Sequence, residues 1–178
     1  MPDTPALRVA DLAQNSATPF EIRPDSAALM ALRDQMGLSG LRKLRFHGTV
    51  TARGQRDWDL SARLGASVTQ PCVVTLEPVT TRIDVDVRRS YLAGWTPPAE
   101  DEVEMAGDDT IEALGSHIDP HAVMLEALAL ALPLYPRKPD ADTGEAVFTE
   151  PGKAPLRDED ARPFAGLADL HAALKGDS

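Results

Sequence analysis

The sequence predicts an α+β domain: a twisted antiparallel β-sheet, open or partly closed into a barrel, flanked by two helices, with an acidic loop and a flexible C-terminal tail. Three observations carry this. Apolar residues recur with period two from Leu44 to Tyr91; two segments show helix caps and helical spacing; and composition shifts sharply after Pro139.

At the N-terminal end Leu7 and Val9, then Phe20 and Ile22, alternate with polar neighbours and predict two short strands. Asp25 precedes Leu29, Leu32 and Met36 at helical spacing, and Gly37 follows. A capping carboxylate, an apolar stripe and a C-terminal glycine predict a helix over 25–36.

From Leu44 the period becomes two. Leu44, Phe46, Val50 and Ala52 share one face, and Trp58, Leu60, Ala62, Leu64, Ala66 and Val68 continue the pattern. Both inward sets are even-numbered, so the connecting loop must hold an odd number of residues for the two to pair on one face. Gly54-Gln55-Arg56 satisfies this, placing Arg53 opposite Asp57 and His47 opposite Arg63. Pro71 is expected to bend the strand, with Cys72, Val74 and Leu76 keeping the inward phase. A turn at Glu77-Pro78-Val79-Thr80 then leads to Ile83, Val85, Val87 and Tyr91, completing a three-stranded meander.

The stretch from Gly94 to Asp109 holds Glu100, Asp101, Glu102, Glu104, Asp108 and Asp109 and is expected to be a mobile acidic loop. Ile111 to Leu114 predicts a short strand, and Asp119-Pro120 opens a helix over 119–132. Pro133, Pro136 and Pro139 end it. Residues 1–139 are therefore read as the domain and 140–178 as an acidic, Pro- and Gly-containing tail, in which Phe164, Leu167, Leu170 and Leu174 form a short helical motif.

With 178 residues, 43% of them hydrophobic, the chain suits one compact domain with tails. It contains no apolar run long enough to span a bilayer and no signal-peptide pattern, so no membrane contact and a cytoplasmic location are expected. The formal net charge of -10 argues against coating nucleic acid with the whole surface. The charge is nevertheless divided: residues 1–99 carry 12 basic and 10 acidic side chains, and residues 100–178 carry 6 and 18.

Site chemistry is sparse. Cys72 is the single cysteine, which excludes an internal disulfide and the paired thiolates of a zinc ribbon. His117 and His121 are four apart, but Asp119-Pro120 between them starts the helix, so no metal is assigned. Glycine-rich phosphate loops and nucleophile elbows are missing, so no catalytic residue, enzyme activity or cofactor is expected. What remains is a basic set on one side of the first hairpin, Arg42, Lys43, Arg45, His47 and Arg63, of which alternation sends Lys43, Arg45 and His47 outward with Arg63 opposite His47. That end of the hairpin lacks carboxylates, since Asp57 and Asp59 fall near Arg53, and these five are the candidate phosphate-contacting residues.

Two stretches together resemble the YceD family of bacterial and plastid proteins linked to accumulation of large-subunit ribosomal RNA. Val68-Thr69-Gln70-Pro71-Cys72-Val73-Val74-Thr75-Leu76-Glu77-Pro78-Val79 is similar to the family's central segment. Ile118-Asp119-Pro120 and the run from Glu126 to Pro136 resemble its acidic, then Leu/Ala-rich, then Pro-containing C-terminal signature. The resemblance covers about residues 5 to 140. Many members have Cys-x-x-Cys in the central segment; here Thr75 takes the second position, which favours a structural role for it. The resemblance implies a non-enzymatic factor in large ribosomal subunit biogenesis, with 23S rRNA or a pre-50S particle as partner, and a basic ribosomal protein or assembly factor as a further partner. The alternative is an acidic protein-interaction module that binds a basic partner without touching RNA.

Overall fold

The computed structural model describes residues 6–96 and 110–141. The chain divides into two units, 1–139 and 140–178, and the architecture below belongs to the first. Its strands are β1 (Leu7–Arg8), β2 (Thr18–Ile22), β3 (Gly40–Arg53), β4 (Asp57–Pro71), β5 (Pro78–Leu92), β6 (Ile111–Ala113) and β7 (His117–Ile118). The helices are α1 (Ser26–Gln35) and α2 (Pro120–Ala131). The acidic residues from Glu100 to Asp109 and the motif from Phe164 to Leu174 lie outside the described residues.

Five strands form an open sheet in the order β2-β3-β4-β5-β6, and β1 pairs with β7 in a separate two-stranded ladder. The sheet does not close into a barrel. Every pairing in it is antiparallel except the last, where β6 runs parallel to β5, so the sheet is mixed rather than wholly antiparallel. A parallel neighbour needs a long crossover, and the connection from 93 to 110 supplies it.

The register of the first hairpin follows from parity. Arg53 faces Asp57 and His47 faces Arg63, with Gly54 at φ 67° in the three-residue connection. Beyond Arg45 the ladder shifts by one: Arg42 pairs with Ser67 and Arg45 with Gly65. Lys43, at φ 55°, is the extra residue of this bulge. The shift moves the inward phase to Leu41 while keeping Leu44 buried.

The turn between β4 and β5 lies earlier than the pattern predicted. Pro71 pairs with Pro78, so β4 ends at Pro71 and Cys72 to Glu77 form the connection. Cys72 is buried as expected, but Leu76 is 78% exposed and the stretch 72–76 is not a strand. The Cys72 N–H donates to the Glu77 carbonyl (2.7 Å) and the Leu76 N–H to the Cys72 carbonyl (2.9 Å), closing the loop on itself. That internal bonding replaces the ladder bonds a further strand would have made.

Both helices start as the sequence predicts. The Asp25 carboxylate accepts from the Ala28 N–H at 2.8 Å, and Asp119 accepts from the His121 and Ala122 N–H groups. Helix α1 rests on β3, and α2 on β4 and β5. Leu32 of α1 and Val123, Met124 and Leu128 of α2 join one cluster with Phe46, Leu60, Leu64 and Val87 of the sheet. Each such side chain contributes about 1.5–3 kcal/mol when buried, against about 0–1 kcal/mol for a surface ion pair, so this layer holds the fold. Arg89, 11% exposed on the inner face, adds a polar clip by binding Glu112 of β6 (3.1 Å) and Glu126 of α2 (2.5 Å). The opposite sheet face is polar, with Arg45, Ser61, Arg63, Asp84, Asp86 and Arg88 exposed to water.

Candidate nucleic-acid interface

Strand alternation sends one set of residues to the helices and the other to this outer face. Because Glu21 faces His47, His47 faces Arg63 and Arg63 faces Asp86, these four form one row across β2, β3, β4 and β5. The next row toward the β3–β4 turn is Pro19, Thr49, Ser61 and Arg88. The next row the other way holds Arg45, Gly65 and Asp84.

The structure therefore brings Arg45, His47 and Arg63 together, with Arg42 and Lys43 at the bulge beyond them. Arg42, Lys43, Arg45 and Arg63 are exposed and His47 is half-buried. The bulge adds Arg42 to the outward set, which strict alternation from Leu44 would have turned inward. His47 Nδ1 is buried without a hydrogen-bond partner among the described residues. A shallow groove beside it, about 540 Å³ in volume, is walled by Pro19, Glu21, Arg45, His47 and Thr49.

This end of the face is not free of carboxylates. The hairpin by itself lacks them, but its flanking strands do not. Glu21 of β2 binds both Arg45 (2.5 Å) and Arg23 (2.7 Å), and Asp86 of β5 stands 4.0 Å from Arg63. Hydrogen bonds from Arg23 first, and from Arg45, hold the Glu21 carboxyl below its ordinary pKa, so it is anionic across the neutral range. Asp84, likewise lowered by its bonds to Arg82, lies over Gly65. A Cβ at Gly65 would sit 2.7 Å from the Arg82 guanidinium, so glycine is what lets this pair cross β4. Asp57 and Asp59 lie toward Arg53 as predicted: Asp59 pairs with Arg53 at 3.7 Å and accepts from the Ser90 hydroxyl, while Asp57 accepts from the Ala93 N–H.

Two outward cations of β5 escaped the sequence reading, Arg82, which is bound to Asp84, and Arg88. Arg88 is exposed on the outer face, and among the described residues Arg42, Lys43 and Arg88 make no ion pair. The signal for Arg88 was available, since the odd inward phase of Ile83, Val85 and Val87 sends even-numbered residues of β5 outward.

Elsewhere, no group of three or more His, Cys, Asp or Glu among the described residues is placed to hold a metal ion. His117 is exposed at the end of β7 and its Nδ1 lies 2.9 Å from the Ser116 hydroxyl. Cys72 is fully buried where the β4–β5 turn meets the segment after α2: the Val73 N–H donates to the Pro136 carbonyl (2.9 Å), Gln70 Nε2 to the Pro133 carbonyl (3.2 Å), and Lys138 pairs with Glu77. The Thr75 hydroxyl donates to the Cys72 sulfur, joined by the Lys138, Thr75 and Val74 N–H groups, and together these lower the thiol pKa to about 6.

That junction unites the two stretches, 68–79 and 118–136, whose pattern is most distinctive. A family model described as "Large ribosomal RNA subunit accumulation protein YceD" matches residues 60–171, well over half the chain. The chain belongs to the YceD family. No curated protein and no solved structure matches it. The YceD match starts within β4 and continues beyond residue 139 into the second unit, so it is offset from the span of 5 to 140 expected from the two stretches. Arg63 and Arg88 fall inside the YceD match; Arg42, Lys43, Arg45 and His47 precede it. Membership ties the chain to accumulation of large-subunit ribosomal RNA. No described helix is long and apolar enough to cross a membrane.

Proposed function

We propose that this protein is a non-enzymatic factor in large ribosomal subunit biogenesis that supports accumulation or processing of 23S rRNA by binding RNA, or a pre-50S particle, in the bacterial cytoplasm. Family membership supplies the process. The observation that supports direct contact is the outer sheet face, where Arg42, Lys43, Arg45 and Arg63 are exposed beside His47 in a chain whose net charge is -10. Cations that would otherwise be dispersed are gathered on one surface, and such a surface can neutralise phosphates while the rest of the molecule repels them.

The test is the triple variant Lys43→Ala, Arg45→Ala, Arg63→Ala. All three side chains are exposed, so the variant is expected to keep its fold. Affinity for large-subunit ribosomal RNA should fall, and the log–log salt dependence should flatten by up to about 2 units, from about 0.7 per lost contact with single strands. Unchanged affinity and slope would move the reading to the alternative, a basic ribosomal protein or assembly factor bound by the acidic half without RNA contact.

A further inference from the structure

We infer that the outer face takes the sugar–phosphate backbone of base-paired RNA, followed along a diagonal line of arginines, Arg45–Arg63–Arg88. The inference rests on the RNA-binding reading above and specifies its ligand. Arg45 lies opposite Gly65, two residues from Arg63 on β4; Arg63 lies opposite Asp86, two residues from Arg88 on β5. Each step thus moves one strand across and two residues along, a diagonal spacing of about 7–8 Å between backbone positions. Three arginines at even pitch match a regular row of phosphates better than they match one compact anion.

Carboxylates border this line on both sides. Glu21 and Asp59 lie on one flank and Asp84 and Asp86 on the other. Their repulsion confines a polyanion to the track between them, so the face selects a backbone in one orientation.

What the strands of this face do not offer, among the described residues, decides the form of the RNA. Single strands are held mainly by bases stacked on aromatic rings, worth about 1–3 kcal/mol per base. Among the described residues Phe20, Phe46, Trp58 and Tyr91 are buried in the core, and Trp95 is half-buried in the turn after β5 rather than on a strand of this face. Tyr135 is exposed, but it follows α2 and sits by the turn at the far end of β4. Without stacking, a flexible strand would lose its conformational freedom for phosphate contacts alone, whereas a duplex presents its phosphates already ordered. The row beside the arginine line offers the hydroxyls of Thr49 and Ser61, next to Arg88, as hydrogen-bonding partners for ribose 2′-OH groups.

Fluorescence anisotropy with the full chain tests this, using a labelled RNA duplex of about 20 base pairs, a scrambled duplex and each separated strand across a series of salt concentrations. The two duplexes are expected to bind equally, and at least tenfold more tightly than the strands. Arg88→Gln should weaken duplex binding and lower its log–log salt slope by about 0.9, the loss of one duplex phosphate contact. If the strands bind as tightly as the duplex, or Arg88→Gln leaves affinity and slope unchanged, the duplex track is wrong while RNA binding stands. If the wild-type chain binds neither form, both the track and the RNA-binding reading fall. The duplex-to-strand ratio of the wild-type chain needs no variant, so a misfolded Arg88→Gln would not obscure the answer.

Discussion

Leu76 carries two local costs at once. Its backbone is left-handed, at φ 60°, and its side chain is 78% exposed, in a turn where neighbouring Val73 is also 52% exposed. A left-handed conformation costs an L-residue with a Cβ about 1–2 kcal/mol, and glycine escapes it. Leu76→Gly also frees the unfolded chain, which takes back about 0.4–1 kcal/mol. With little buried apolar area to lose, the backbone term prevails, and the variant is expected to be more stable by up to about 1 kcal/mol in urea denaturation. A lower midpoint would show that the Leu76 side chain makes contacts worth more than the strain. Lys43, at φ 55° in the β3 bulge, is the same kind of position, yet there the side chain belongs to the basic face.

At the scale of elements, the turn from Cys72 to Glu77 behaves as a small polar cage around a sulfur. The thiol pKa is about 6, below the ordinary 9.0, because the Thr75 hydroxyl and then the Lys138 and Thr75 N–H groups donate to the thiolate. The folded state therefore prefers the anion more than the unfolded chain does. The stabilisation is complete above about pH 9, declines as pH falls from 9 to 6, and is gone below about 6. Melting curves of the wild-type chain and Cys72→Ala should accordingly diverge as pH rises from 6 to 9, with the wild type gaining. A constant gap over that range would mean that the sulfur stays protonated and acts through packing alone. Legibility divides at this same element. The burial of Cys72 was readable from strand phase, and the pairing of His47 with Arg63 from index parity. The early end of β4 was not, because Val74 and Leu76 keep an even spacing that has no strand to serve once the turn bonds to itself and to Pro136. The strand expected from Leu7 and Val9 is present only as β1, because the chain turns into a 3-10 helix at Val9–Asp11; β7, two residues long, is too short for any periodicity, and the parallel direction of β6 depends on a partner reached through a long connection.

At the largest scale described, that of the first unit, the sheet separates two kinds of surface. One face is covered by α1 and α2, and the other is a mosaic in which cations and carboxylates alternate by strand. The five candidate cations were legible because they share one hairpin; the carboxylates that temper them were not, because Glu21 and Asp86 arrive from β2 and β5. A single hairpin read alone overstates its own charge. This difference has a measurable sign. Glu21 neutralises Arg45 and Asp86 faces Arg63, so replacing them removes repulsion from a bound phosphate row and leaves both arginines unpaired toward it. Glu21 lies 2.5 Å from Arg45 and Asp86 4.0 Å from Arg63, so a phosphate held on the far side of each guanidinium would sit about 7–8 Å from the carboxylate, where one unit charge is worth about 0.5 kcal/mol in water before salt screening. The double variant Glu21→Gln, Asp86→Asn is therefore expected to bind RNA about two- to fivefold more tightly at 0.1 M salt, with a gain that shrinks as the Debye length contracts. Glu21 and Asp86 are both exposed, so folding should be unaffected. Equal or weaker binding by this variant would show that the two carboxylates do not border the RNA, and that the negative charge which limits affinity lies elsewhere in the chain.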